Sequence, residues 1–218
     1  MEEEKKINTD ELKEETKETF NKVKSEIKDA NFKEETVKAT NFVKEMVMNP
    51  IEAIKNVAQG NGAKLATIIM IVIGLLISNV AYEIISLFSY SYGTLGDKLW
   101  DIITAITEPL FLLLVPSLII FLFNKNKKSL LTTLSTMVVA YVPAIFSNVV
   151  SIVYLLISQL SLITSPINAG LGVAQTILTY FGMKTLMEED DESFIVKFVI
   201  IEVVVSFVMI ILRRLNVC

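Results

Sequence analysis

The stretch that decides the fold of this chain is Leu65–Phe88, LATIIMIVIGLLISNVAYEIISLF, in which Glu83 is the one charged residue. A helix needs roughly 20 mostly apolar residues to cross the hydrocarbon core of a bilayer, which is about 30 Å thick. These residues therefore predict a transmembrane helix. The stretches Ile102–Phe123 and Phe194–Leu212 meet the same requirement and predict two further spans.

The segment between those spans, Ser129–Met187, is apolar but is interrupted by Pro143 and Pro166. We predict one membrane helix at Leu134–Ile157, preceded by an interfacial piece and kinked at Pro143, because proline lacks the N–H of a helical hydrogen bond. A second helix is predicted at Asn168–Met187. The chain is thus predicted to be an all-α polytopic membrane helix bundle with five spans. Splitting the Pro143 segment into a re-entrant pair would give six.

The lysines of the short loops predict the orientation, because loops rich in Lys and Arg stay in the cytoplasm. Three lysines lie in the loop 124–129, whereas the loop 89–101 has only Lys98. Five spans then predict a multi-pass protein of the cell membrane with a cytoplasmic N-terminus and an external C-terminus. Arg213 and Arg214 would then lie on the outer side, where either they reach the outer headgroups or the number of spans is even.

The distribution of charge divides the chain into segments. The first 63 residues hold 14 of the 24 acidic and 11 of the 20 basic residues. We predict a charged helical arm over residues 1–48, an interfacial amphipathic helix with its linker over 49–62, and the transmembrane domain over 63–215. Asn49 and Pro50 suit the N-cap and the first turn of the amphipathic helix.

The arm has few apolar residues, and they form a thin row along its helical surface: Phe20, Val23, Ile27, Phe32, Phe42, Val43 and Met46. The wider spacing after Ile27 predicts two helical pieces that meet near residues 30–31. One interpretation is a solvated, partly disordered cytoplasmic arm. The other is a helix that binds a protein partner or self-associates as a coiled coil.

The residue inventory excludes several classes of activity. The chain has no histidine and a single cysteine, Cys218. Nucleophilic catalysis that depends on histidine and zinc sites built from His or paired thiolates are therefore excluded. The charge balance is mildly acidic and there is no basic stripe, so nucleic-acid binding is not expected. We predict no enzyme activity, no cofactor and no metal.

Glu202 is the most informative single residue, because it falls near the middle of the last predicted span. A carboxylate at a helix centre costs about 2.5–3.5 kcal/mol on insertion scales. Glu108, Tyr141 and Asn148 are its candidate neighbours in an intramembrane polar site. Such a site would bind a proton or a cation. The alternative is a neutral Glu202 carboxyl that only forms a hydrogen bond to the next helix.

Three stretches resemble the Yip (Ypt-interacting protein) family of five-span membrane proteins. AYVPAIFSNVVSIV at 140–153 resembles the family's Tyr-x-x-Pro centre, with Tyr-x-Pro here. TILTYFGMKTLMEEDDESFIVKFVIIEVV at 176–204 resembles its fourth span, acidic loop and last span, and NPIEAIKNV at 49–57 is similar to the Pro-led entry of prokaryotic members. The likeness covers residues 49–215 and implies five spans, a cytoplasmic N-terminus and a prokaryotic-type member. Eukaryotic members are linked with Rab-type GTPases and vesicle traffic.

Two functions from different classes stay open at this point. The first is a non-enzymatic integral membrane protein of Yip-like type that organises or recruits partners at the lipid bilayer, with the arm as its contact surface. Homo- or hetero-oligomers would fit that function. The second is a small transporter, channel or permease subunit that uses the carboxylate of Glu202.

Overall fold

Helices make up every element that the computed structural model describes. The described residues are 17, 20–21, 24–25, 32–61, 65–89, 94–124, 128–188 and 191–214. Within them eight helices, with a 3₁₀ turn at Ser158–Leu160 before the seventh, follow in order: α1 Phe32–Met48, α2 Pro50–Ala58, α3 Leu65–Ser89, α4 Leu95–Phe123, α5 Leu130–Ala140, α6 Val142–Leu156, α7 Ser161–Met187 and α8 Asp191–Arg214. The predicted all-α fold is confirmed.

Within the described residues, four segments are long and apolar enough to cross a membrane. They are Leu65–Ser89, Leu95–Phe123, Leu130–Leu156, which joins α5 and α6, and Phe194–Leu212 within α8. These segments support the prediction of a membrane-embedded helix bundle. The remaining predicted span, Asn168–Met187, lies in α7, which has the length of a span but is not one of the four apolar segments. Five spans therefore stay a prediction.

Local chemistry fixes where α4 and α2 begin. The Thr94 hydroxyl accepts a hydrogen bond from the backbone N–H of Asp97 (3.3 Å), and the Asp97 carboxylate accepts one from the Thr94 N–H (2.7 Å). This reciprocal pair is a capping box, which satisfies two N–H groups that have no partner inside the helix. Asn49 is the N-cap of α2, as predicted, although its side chain makes no cap hydrogen bond. Pro50 lies in the first turn of α2, where its fixed φ suits the helix.

The third apolar segment is broken at Tyr141, which separates α5 from α6 with φ −89° and ψ 0°. Pro143 lies in the first turn of α6. Because proline has no N–H, it cannot donate to the carbonyl of Val139, which accepts a backbone N–H at the break instead. The break therefore falls two residues before the predicted kink position. The interfacial piece expected before Leu134 is the start of α5, which begins at Leu130.

Helix α7 runs antiparallel to α5 and α6 along their whole length. Residues late in α6 meet residues early in α7, and residues early in α5 meet residues late in α7. From one end to the other the pairs are Ser151–Asn168 (2.9 Å), Tyr141–Gln175, Thr136–Gly182 and Lys128–Glu188 (2.8 Å). The last pair is an ion pair between the residues that flank α5 and α7, so these two helix ends lie on the same side of the bundle.

Helix α3 points in the same direction as α6. Gly74 lies beside Ile145, and Ser78, one turn further along α3, accepts a hydrogen bond from Asn148, about one turn further along α6. Because the contacts advance together along both helices, the two are parallel. Helix α6 is thus flanked by a parallel α3 and an antiparallel α7.

Helices α4 and α8 complete the bundle. The side chain of Asn79 on α3 meets Ala105 on α4, and Glu83, one turn later, interacts with Asp101, so α3 and α4 are antiparallel. Helix α8 packs on α4 and α7. The Tyr180 ring, near the end of α7, makes edge contacts with two phenylalanine rings near the start of α8: Phe194 (5.2 Å) and Phe198 (5.3 Å).

The amphipathic helix α2 packs its apolar face into the bundle. Its buried residues are Ala53, Ile54, Val57 and Ala58, and it contacts α5 and α7. Ile54 is 0 % exposed and lies against Gly182. Protein rather than lipid therefore covers the apolar face of this helix. Its position at the membrane surface stays a prediction.

Helix α1, the second half of the predicted arm, packs on α2 and α3. Ala39 and Met46 are buried, and Phe42 and Val43 are half-buried against the same core. Much of the apolar row that suggested a partner-binding helix thus contacts the chain itself. Residues 32–48 pack with the transmembrane domain rather than apart from it.

The first half of the arm falls mostly outside the described residues. Phe20 is described, and 66 % of it is exposed. The predicted junction near residues 30–31 lies outside the described part of the chain. The alternative of a partner-binding segment therefore rests on residues 1–31 alone.

Candidate intramembrane polar site

An amide network joins α3, α4 and α6 inside the bundle. The Asn148 side-chain nitrogen donates to the Ser78 hydroxyl (3.1 Å) and to the side-chain amide oxygen of Asn79 (3.4 Å). The Asn79 nitrogen in turn donates to the backbone carbonyl of Ala105 (2.7 Å). Polar groups at membrane depth need protein partners because hydrocarbon offers none. This network satisfies its members and fixes three helices relative to one another.

A second amide joins α6 to α7. The Asn168 side chain donates to the Ser151 hydroxyl (2.9 Å), and its carbonyl oxygen accepts from the Ser147 hydroxyl (3.2 Å). Ser147 and Asn148 are neighbours in sequence, so successive residues of α6 bond to helices on its two sides. Sequence reasoning did not select Asn168, although an asparagine in an apolar stretch is a signal that could have found it.

The break between α5 and α6 carries a third polar group of residues. Gln175 on α7 is a polar neighbour of Tyr141, the residue at the break. Glu202 on α8 interacts electrostatically with the same tyrosine. The break therefore has a polar neighbour on α7 and an acidic residue of α8 within electrostatic range. The sequence named Tyr141 and Glu202 as neighbours and missed Gln175.

Apolar residues surround Glu202 on α8. Ile201 and Val205, on either side of it in the sequence, are buried in the core that α8 shares with α4 and α7. Glu202 itself is half-buried. No cationic group in the described part of the chain interacts with it.

The other predicted members of the site do not all join it. Asn148 bonds to α3, as described above, and not to Glu202. Glu108 is half-buried on α4, next to the buried Pro109. Of the four candidates, Tyr141 and Glu202 are within electrostatic range of each other, and a common polar site for them stays a prediction.

The described residues contain no group of three or more His, Cys, Asp or Glu side chains that could hold a metal ion. In the acidic run that follows α7, Glu188 pairs with Lys128, while residues 189–190 lie outside the described part of the chain. The described residues thus offer no cluster of these side chains for a polyvalent metal ion.

Comparison with known proteins does not assign the chain. No protein-family model matches it, and no match was found among curated proteins or among solved structures. The resemblance to the Yip family stays a prediction.

Proposed function

We propose that the chain is a non-enzymatic integral membrane protein of Yip-like type that recruits a protein partner to the cytoplasmic face of the membrane. The observation that carries this proposal is the packing of α1 and α2 on the bundle. These contacts dock α1 on the bundle, and the charged segment 1–31 directly precedes α1 in the chain. A segment displayed in this way is suited to contact a partner, and Phe20 offers it an apolar anchor.

The recruiting function predicts that removing residues 1–31 abolishes the binding of specific partners and leaves the bundle intact. The measurement is comparative affinity purification of the full chain and the truncated chain, with gel filtration to establish that both are monodisperse. Phe20→Asp is the matched point variant, because it removes the exposed apolar anchor and leaves the rest of the arm in place. Identical sets of co-purified proteins from all three chains would contradict the proposal.

We propose a topology of five traverses, with the N-terminus in the cytoplasm and the C-terminus outside. The packing of α7 along the whole of α5 and α6 supports it: where the 130–156 segment crosses the bilayer, its antiparallel neighbour crosses as well. The parallel direction of α3 and α6 fits two spans that are separated by one returning span. Lys128 and Glu188 then lie on the cytoplasmic side, where the positive-inside rule puts the lysine-rich loop.

A reporter fused after Cys218 tests this topology. We expect a periplasmic or extracellular reporter to be active and a cytoplasmic one to be inactive at that position. The matched control is a fusion after Glu188, which five traverses put in the cytoplasm. A cytoplasmic signal after Cys218 would contradict five traverses. Combined with an external signal after Glu188, it would show that α7 does not cross or that the α5–α6 segment crosses twice, and combined with a cytoplasmic signal after Glu188 it would show that α8 does not cross.

A further inference from the structure

A cavity of about 440 Å³ opens where α1 ends and α2 begins. Its size falls within the range of small-ligand sites, about 300–1,000 Å³. Part of its wall is apolar and part of it carries charge. The lining residues are Met48, Asn49, Pro50, Ile51, Glu52 and Lys55. The recruiting function assigns no role to this cavity.

The cavity presents one anionic and one cationic side chain, Glu52 and Lys55. They lie three positions apart on α2, a spacing at which opposite charges can pair along a helix. Within the residues that the structure describes, however, neither forms an ion pair, with the other or with a third residue. The Lys55 ammonium instead lies 5.4 Å from the centre of the Phe181 ring on α7, a cation–π contact. Two opposite charges are thus available side by side for a ligand that carries both.

Helix α2 lies near one end of the bundle. A Cβ atom at Gly182 would meet both Ile54 of α2 and Thr136 of α5. Gly182 precedes Glu188 by six residues and Thr136 follows Lys128 by eight, and the Lys128–Glu188 ion pair joins those two helix ends. With a rise of about 1.5 Å per residue, α2 therefore lies roughly 9–12 Å from this end of the bundle.

This position corresponds to a definite depth in a bilayer. The apolar segment formed by α5 and α6 has 27 residues, which span roughly 40 Å, the thickness of a bilayer with its headgroups. In a membrane that this segment crosses, the cavity lies near the boundary between the headgroups and the hydrocarbon.

Exposed apolar side chains adjoin the cavity. Met48 is 73 % exposed and its neighbour Val47 is 62 % exposed, and Ile51 on α2 is exposed as well. Apolar side chains at this depth contact the first carbons of the acyl chains. A phospholipid would therefore meet charges for its headgroup and an apolar surface for its chains in one place.

We propose that this cavity binds the headgroup of a zwitterionic phospholipid that carries a primary amine, phosphatidylethanolamine. Lys55 pairs with the phosphate and Glu52 with the ammonium, and Asn49, whose side chain makes no cap hydrogen bond, adds a polar contact. Phosphatidylcholine has no N–H to donate to Glu52. An anionic headgroup without an amine puts a negative charge beside that carboxylate. The site is independent of the recruiting function and stands if residues 1–31 bind nothing.

Native mass spectrometry of the full chain in detergent tests the proposal. The protein is titrated with phosphatidylethanolamine, phosphatidylcholine or phosphatidylglycerol of identical acyl chains, and the lipid-bound fraction gives the Kd of each. We expect the ethanolamine lipid to bind about tenfold more tightly than the other two, the effect of one charged hydrogen bond. Soluble phosphoethanolamine, which has the headgroup without the chains, is expected to bind more weakly than the lipid by at least about tenfold.

Charge variants assign the headgroup to the two side chains. Glu52→Gln and Lys55→Gln each remove one charge, and each is expected to weaken the binding of the ethanolamine lipid by about tenfold. Glu52→Lys leaves two positive charges and is expected to reverse the preference in favour of phosphatidylglycerol. Glu45→Lys is the matched control, because it makes the same change of charge at an exposed residue of α1 that does not line the cavity. It is expected to keep the order of the three lipids.

Four results would overturn the proposal. The first two are equal Kd values for the three lipids and equally tight binding of soluble phosphoethanolamine. The third is a preference for the ethanolamine lipid that survives Glu52→Lys in a chain that gel filtration shows to be folded. The fourth is a reversal of the preference by Glu45→Lys, because the overall charge of α1 and α2 rather than the cavity would then determine it.

Discussion

Gly182→Ala is expected to lower the melting temperature of the detergent-solubilised protein by roughly 3–10 °C, the shift that corresponds to the usual cost of overpacking a core in a chain of this size. A Cβ atom at this position would lie 2.8 Å from Cγ2 of Thr136 and 3.0 Å from Cδ1 of Ile54. Both neighbours are 0 % exposed, so neither can move without disturbing others. Side chains of α2 and α5 therefore lie directly against α7 at this glycine.

The same helix supplies a control for this prediction. A Cβ at Gly170 would meet nothing within 4 Å, so Gly170→Ala changes helix propensity without overpacking and should leave the melting temperature near that of the original chain. Thr136→Ser removes the methyl group of the shortest contact and keeps the hydroxyl that donates to the Thr132 carbonyl (2.8 Å). It should recover part of the loss in the double variant. Equal effects of both alanine variants would contradict the packing of α2 between α5 and α7.

Deletion of residues 1–48 is expected to destabilise the bundle strongly, whereas deletion of residues 1–31 is not. The longer deletion removes α1 and with it the buried Met46 and the half-buried Phe42 and Val43. A fully buried side chain of this kind contributes about 1.5–3 kcal/mol. We therefore expect a fall of roughly 5–15 °C in melting temperature, together with aggregation on gel filtration.

The shorter deletion is the matched control for the longer one, since both remove the charged N-terminal segment and only one removes α1. Similar melting temperatures for the two truncated chains would show that α1 contributes nothing to the bundle. In that case residues 32–48 would belong to a free arm, as the sequence alone predicts.

The role of α1 was hard to predict because its apolar row is thin and its charge is high. A row of this width fits a solvated helix, a ligand for a partner and a helix docked on its own protein equally well. The structure decides between them, because Ala39 and Met46 are buried where α1 packs on α2 and α3. The composition of the arm does not indicate that this surface exists. For α2 the amphipathic pattern predicted the helix and its buried face, but not the protein that covers it.

The candidate site was only partly predictable for a similar reason. Glu202 stands out in the sequence because a carboxylate in an apolar stretch is costly. Tyr141 and Asn148 were selected as neighbours without a means of telling them apart. The directions of the helices separate them: Asn148 faces α3, while Tyr141 lies at the helix break beside α7. Gln175 could not be ranked above other polar residues until α7 was known to lie against the break.

By itself the sequence determined that this protein is an all-α membrane bundle, because the length and composition of a stretch such as Leu65–Phe88 decide whether a helix can replace water by hydrocarbon. Tertiary structure alone decided that α7 lies antiparallel to α5 and α6, that α2 packs against Gly182, and that Asn148 bonds to Ser78 and Asn79 on α3. Hydrophobicity is nearly the same on every side of an apolar helix, so the hydrophobic pattern does not indicate which helices pack against it. Contacts of close-packed small residues and paired polar groups supply that information, and they exist only once the helices have assembled.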